Sequence, residues 1–225
     1  MYLPRHFTQT DLAEIAAFVD AAAAADLVTF DGTRPVATRL PVIWDRPDDW
    51  IEQGAYGRLL GHIAIANDQW QTAQPGAHAL AIVHGPQAYI SPAWYESKAR
   101  HGRVVPTWNY QIVHLTGTLT WHQDSEWLRV LVTRLTVLHE SGRAHPWAVT
   151  DAPADYVNGQ LRAIVGVELQ ITTIEAKQKL SQNRSAADQA GVVEGLRAEQ
   201  GDDADSAAVA DLMAANLERA EHAEA

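Results

Sequence analysis

From residue 11 the apolar positions recur at helical spacing. Leu12, Ile15, Ala16 and Val19 fall on one face, alanines continue to Ala25, and Asp11 with Glu14 reads as an N-cap and its capping partner. The period then changes from 3.6 to 2. Leu27-Val28-Thr29-Phe30 and Val36-Ala37-Thr38-Arg39-Leu40-Pro41-Val42-Ile43 flank Asp31-Gly32, a favoured hairpin turn, so they predict a strand pair. Residues 45–53, with a proline and paired acids, read as a loop. Further strands are expected at 58–66, 77–84, 88–91 and 104–122, and Gly117 suggests a bend or bulge in the last, which is long. A helix is expected over 124–140, with Trp127, Leu131, Leu135 and Leu138 on one face and Gly142 to end it. A short helix at 154–163 follows Pro153, residues 166–174 alternate as a closing strand, and 186–200 reads as helix. The rest is rich in Ala and acids, a helix-prone but poorly anchored tail.

Strands thus dominate the middle, with helices at the ends and between the late strands. That arrangement predicts an α+β fold built on an antiparallel barrel with peripheral helices, not an alternating βαβ chain. Neither a GxGxxG nor a P-loop sequence is present to suggest a dinucleotide or nucleotide fold.

Composition narrows the function classes. The 225 residues are 47% hydrophobic and contain no cysteine, which supplies a core and excludes disulfides and thiolate metal sites. Residues 1–7 have neither a basic segment nor an apolar run, and no stretch approaches the roughly 20 apolar residues of a membrane span. A soluble, cytoplasmic protein is expected. The net charge is −11; residues 198–225 hold eight acids against Arg219 alone, a net of −7, leaving −4 for the remainder. An acidic body makes a poor autonomous DNA binder, since binding requires phosphate neutralisation. Two local exceptions lack acids: 97–104 with Lys98, Arg100 and Arg103, and 176–187 with Lys177, Lys179 and Arg184. Each has the composition of a small-anion site, but spacing alone favours a solvated surface face.

Candidate chemistry is concentrated in two segments. Ser91-Pro92-Ala93-Trp94-Tyr95-Glu96-Ser97-Lys98 and Val105-Pro106-Thr107-Trp108-Asn109-Tyr110 are dense in rings and hydrogen-bonding groups. Trp94, Tyr95, Trp108 and Tyr110 suit the walls of a planar ligand, with Ser91, Thr107 and Asn109 as donors and acceptors; aromatic packing at a barrel edge is the other reading, and the basic cluster between the two segments brings the two level. The ten histidines form no HExxH, no helical pair and no His-rich tract, so no metal site is expected. Asp124 and Glu126 suit helix capping, and Ser91 and Ser181 lack the context of a hydrolase nucleophile.

An ordered set of short motifs adds a family. It comprises Met1-Tyr2 with Pro4 and His6-Phe7; Pro35-Val36-Ala37-Thr38 with Leu40-Pro41; Gly61-His62-Ile63-Ala64 with Ala66-Asn67 and Trp70; and Gly85-Pro86 with Ala88-Tyr89-Ile90-Ser91-Pro92. Trp94-Tyr95 with Lys98, then Val105 to Tyr110 with Val113-His114, and Lys179-Leu180-Ser181-Gln182-Asn183-Arg184 complete it. Over about residues 1–197 the chain resembles the PaiB family of FMN-binding negative transcriptional regulators. The resemblance implies a split β-barrel at 1–197, with 198–225 as an acidic, Ala-rich tail, and a homodimer holding flavin mononucleotide (FMN) in its interface. It implies cofactor contacts from Thr38, Arg39, His62, Ile65, Asn67, Ser91, Trp94, Lys98, Thr107, Trp108, Asn109, Lys179, Gln182 and Asn183. Family members usually carry Arg or Lys where this chain has Ile65, and His where it has Arg39. In related barrels a basic residue near position 65 grips the flavin phosphate, so the resemblance implies weaker FMN binding, with Arg39, Lys98 or Lys179 as substitutes. A regulator acting with a protein partner is the leading expectation. A flavin-dependent oxidoreductase of the pyridoxamine-phosphate-oxidase-like class is the alternative, and a flavin-free remnant the third reading.

Overall fold

The computed structural model describes residues 1–74 and 76–224, so the last residue of the tail lies outside the described residues. In chain order the elements are β1 (Thr8–Gln9), α1 (Leu12–Ala22), β2 (Ala24–Phe30), β3 (Pro35–Asp45), α2 (Trp50–Gln53), β4 (Arg58–Ala64), α3 (Gln69–Thr72), β5 (His78–Ile90), α4 (Glu96–His101), β6 (Thr107–His122), α5 (Ser125–Glu140), α6 (Ala154–Leu161), β7 (Ile164–Lys179), α7 (Ala186–Gln200) and α8 (Ala204–Glu224). The strand order is β1-β7-β4-β3-β2-β5-β6, and β6 also pairs with β7. That pairing joins the last strand of the series to the second and closes a barrel, the device by which an antiparallel sheet removes exposed edges. The α+β, antiparallel split-barrel architecture expected from the sequence is the one found.

The chain forms two compact units. The larger comprises 12–83 and 114–174; the smaller comprises 1–11, 84–113 and the residues from 175 on.

In the larger unit, period-2 alternation sends Leu27, Leu40, Val42, Leu59, Val167 and Leu169 into the barrel, where they line a small internal cavity. The β2–β3 register pairs Phe30 with Pro35, so a four-residue loop joins the strands in place of the expected two-residue turn. The Asp31 carboxylate organises that loop. It accepts the Thr33 hydroxyl and the Arg34 and Thr33 amides, which hold its pKa down at about 2. Helix α1 stops at Ala22, and Ala23 turns the chain at φ 48°. Ala24 and Ala25 pair instead with Pro41 and Leu40: sheet pairing overrides alanine's helix propensity, so the helix expected to Ala25 is shorter. The loop expected over 45–53 contains the single turn α2, anchored by buried Trp50.

Gly117 marks no bend. It lies within continuous β6, and a Cβ there would come 2.0 Å from the Gln170 carbonyl oxygen, so the glycine permits the close approach of β7. Helix α5 is capped by Asp124, which accepts the Trp127 amide at 2.8 Å. Its buried stripe is Leu128, Leu131 and Leu135, packed over Leu60 and α6, whereas Leu138 is 46% exposed. The Trp127 ring lies against Gly166, where any side chain would collide with it.

In the smaller unit β1 pairs antiparallel with the end of β7, Thr8 opposite Lys177. Strand β7 runs to Lys179, five residues past its expected end, and β5 runs unbroken through Gly85 and Pro86, where two strands were expected; proline's fixed φ is compatible with extended backbone. Helix α7 coincides with its expected span and is N-capped by Ser185. The poorly anchored tail is overturned. Val209, Ala210 and Met213 of α8 are fully buried in one cluster with Ile90, Leu180, Val192 and Leu196. Spacing of one and four residues puts the three on one helical face, enough to dock a helix whose remaining surface is acidic.

Candidate functional site

The residues singled out in the sequence fall into both units. Thr38, Arg39, His62, Ile65 and Asn67 belong to the larger; the rest belong to the smaller.

In the larger unit the turn after β4 is built by side chains. Asn67 donates to the Thr38 hydroxyl at 2.8 Å and accepts the Gln69 amide at 3.0 Å. Gln69 is fully buried and donates to the Thr29 hydroxyl and the Leu27 carbonyl, while its Oε1 has no partner. Sequence reasoning missed Gln69, and nothing in its local pattern distinguishes it from a surface glutamine. Ile65 is fixed by backbone bonds to Ala163 and to the Trp70 indole, and its side chain is 40% exposed. Arg39 is exposed and paired with Asp26 at 3.3 Å.

His62 is half-buried on β4, and its Nδ1 is buried with no partner. Burial lowers its pKa below the ordinary 6.5 because the charged ring loses hydration. A depressed folded-state pKa leaves stability intact above pH 6.5 and removes it as pH falls from there, since the unfolded chain then binds the proton more readily. Comparing urea unfolding at pH 8 and pH 5, we expect wild type to lose more stability than His62→Leu; parallel losses would exclude the effect.

An ion network also braces this unit. Asp45 accepts from Arg58 at 2.9 Å and from Arg134 at 2.6 Å, Arg58 reaches Glu168 at 3.4 Å, and Glu168 meets His122 at 3.1 Å. Burial pulls the Asp45 pKa upward, but the bonds from Arg134 and Arg58 outweigh it and lower the value. The adjoining cleft of about 530 Å³ holds Arg46 stacked on Trp44 and paired with Asp20. None of the sequence candidates lines it, and these cations are already neutralised.

In the smaller unit the segment around Asn109 meets the turn at Ser181. Asn109 of β6 is fully buried and donates to the Ser181 hydroxyl at 3.0 Å and to the Met213 sulfur at 3.3 Å. Ser181 adopts φ 65°, a left-handed conformation uncommon for a non-glycine residue, and turns the chain out of β7. The Gln182 side chain supports that turn, accepting the Leu180 amide and donating to the Gln178 carbonyl. Asn183 is exposed beside it, and Lys98 is exposed on α4. Ser91 caps the turn leading to Trp94, whose indole donates to Glu199, whose ring covers Gly195 and whose backbone carbonyl lies against Gly191. Lys179 donates to the Thr107 hydroxyl at 2.6 Å and to the Trp108 carbonyl. The Trp108 ring is 53% exposed and meets exposed Tyr89 edge-on at 6.3 Å. Exposed rings beside donors are suited to a planar, polar-edged ligand.

A family model described as "Putative FMN-binding domain" matches residues 1–173. The chain is 33% identical over 222 residues to the protease synthase and sporulation protein PAI 2 of Bacillus subtilis, spanning 97% of this chain and 99% of that protein. Among solved structures it is similar to the FAD and heme binding protein from Mycobacterium smegmatis, with TM-score 0.53, 17% identity, and 76% of this chain and 73% of that one covered. It is also similar to the flavocytochrome Anf3 from Azotobacter vinelandii, with TM-score 0.51, 17% identity, and coverage of 79% and 72%. At such identities the structural likeness is one of fold.

Proposed function

The chain belongs to the FMN-binding domain family, and from that premise we propose that it binds flavin mononucleotide as a homodimeric, PaiB-like negative regulator. The observation that carries this reading is the exposed ring pair Trp108 and Tyr89, beside the Lys179 ammonium and the Thr107 hydroxyl. The donor set fits the cofactor: a flavin presents a flat aromatic face, a polar edge and a phosphate, and these residues offer rings, hydrogen-bonding groups and a cation. When bound, FMN supplies a redox-active ring. The protein's part is to hold that ring and shield it from water.

Exposed Tyr2, Tyr89, Val105 and Trp108, all in the smaller unit, support the homodimer, since apolar groups left uncovered in a monomer favour association. The net charge of −11 favours a protein partner over naked DNA. Among the described residues no helix is long and apolar enough to cross a membrane, and we place the protein in the cytoplasm.

NADPH oxidation separates regulator from oxidoreductase. Protein loaded with FMN should oxidise NADPH no faster than the same concentration of free FMN. Sustained turnover well above that background would replace the regulatory reading with the oxidoreductase one and leave flavin binding intact.

A further inference from the structure

We propose that Lys177, Lys179 and Arg184 form the subsite that takes the phosphate monoester of the flavin mononucleotide. The proposal rests on the flavin reading above.

Alternation along β7 puts Lys177 and Lys179 on one face, and after the turn at Ser181, where the Arg184 amide donates to the Ser181 carbonyl, the Arg184 charge acts on Lys179. Their contacts are rings and neutral oxygens, and Glu175, which shares the face of Lys177 and Lys179, is paired with the Met1 amino group. The Lys177 ammonium lies 5.6 Å from the Tyr2 ring and 5.5 Å from the Tyr110 ring, and donates to the Tyr2 carbonyl at 3.2 Å. Lys179 lies 5.8 Å from the Phe7 ring and spends its bonds on Thr107 and the Trp108 carbonyl. The Arg184 guanidinium stacks 4.9 Å over Tyr95. Among the described residues no carboxylate pairs with any of them. The nearby acids of the same unit have other partners: Glu175 the Met1 amino group, Asp188 the Ser97 amide and hydroxyl, and Glu199 the Trp94 indole.

Burial, and after it the charges of Lys177 and Arg184, lower the Lys179 pKa, the direction expected where like charges are held together. A phosphate dianion removes that repulsion. It matches the point charge of the lysines and the forked donors of the arginine. The other basic candidates are poorer: Arg39 is already paired with Asp26, and Lys98 is an exposed side chain on a six-residue helix. Lys179 also bonds the carbonyl of Trp108, so the cluster adjoins the ring proposed to face the flavin.

Titration of the full-length protein with FMN and with riboflavin, which lacks the phosphate, tests the assignment. Wild type should bind FMN at least about tenfold tighter than riboflavin, the scale of a charge-assisted contact. In Lys179→Met the FMN-to-riboflavin ratio should fall towards one. Arg184→Gln alters a guanidinium that stacks on a ring and makes no ion pair among the described residues, so it guards against misfolding of the lysine variant; the same fall is expected there. Equal affinity of wild type for both flavins, or a ratio that survives both substitutions, overturns the phosphate site while the flavin reading stands. Failure of wild type to bind either flavin overturns both.

Discussion

A chain ending at Gln200 should melt at least about 10 °C below the full-length protein. Truncation there removes α8, and with it Val209 and Met213, both fully buried, and Ala210. Full burial of a valine or methionine side chain contributes roughly 1.5–3 kcal/mol, and Val192 and Leu196 would lose their cover as well, so a loss of about 5 kcal/mol is the conservative figure. For a chain of this length each kcal/mol shifts the midpoint by about 2–4 °C. Met213→Ala isolates the largest contact and should cost about 2–5 kcal/mol, partly through the cavity it leaves and partly through the lost partner of Asn109. A truncated chain that melts with the intact protein would show that α8 contributes nothing to the fold.

Gly117→Ala should be more damaging than Gly166→Ala, although both add one methyl group to a β-strand. At residue 117 the new Cβ meets backbone: the Gln170 carbonyl oxygen at 2.0 Å and its carbon at 2.7 Å. Strands β6 and β7 must part to accept it, and their pairing is the one that closes the barrel. Overpacking of this kind costs about 1–3 kcal/mol even where side chains alone must yield, and more is expected where a strand must move. At residue 166 the Cβ meets the Trp127 ring at 2.1 Å, the far end of a side chain stacked on His122 and not a strand backbone, so the accommodation there needs no parting of strands. Urea midpoints for the two variants decide the order, and equal losses would mean that the β6–β7 contact is more compliant than its geometry indicates.

Elements governed by local pattern were legible in the sequence. Asp124 caps α5 because a carboxylate three residues before an amide is a local arrangement, and 186–200 is helical over its expected span. What failed was non-local. Ala24 and Ala25 look helical until Leu40 and Pro41 are set opposite them, and the β2–β3 loop is set by strand register, not by Asp31-Gly32 alone. Gly117 was readable as a special position but not as a close approach, because its partner stands 53 residues away at Gln170. Val209 and Met213 were visible as a short stripe, yet the docking face on Val192 and Leu196 appears only once α7 is folded.

The same division runs through the candidate site. The motif strings around Asn109 and Ser181 were evident, but their hydrogen bond spans 72 positions and needed the fold to reveal it. The basic run at 176–187 read more readily as a solvated face; the ring contacts of Lys177 and Arg184 are a property of the folded chain. Gln69 was invisible because its importance lies wholly in burial.

The central claim is that this protein is a flavin-binding one, and equilibrium titration of the purified full-length chain with FMN tests it most directly. Flavin fluorescence should change saturably, with about one FMN bound per chain and a dissociation constant near or below ~10 µM, the strength of a modest specific site. A linear, unsaturated response up to ~1 mM FMN would contradict the claim.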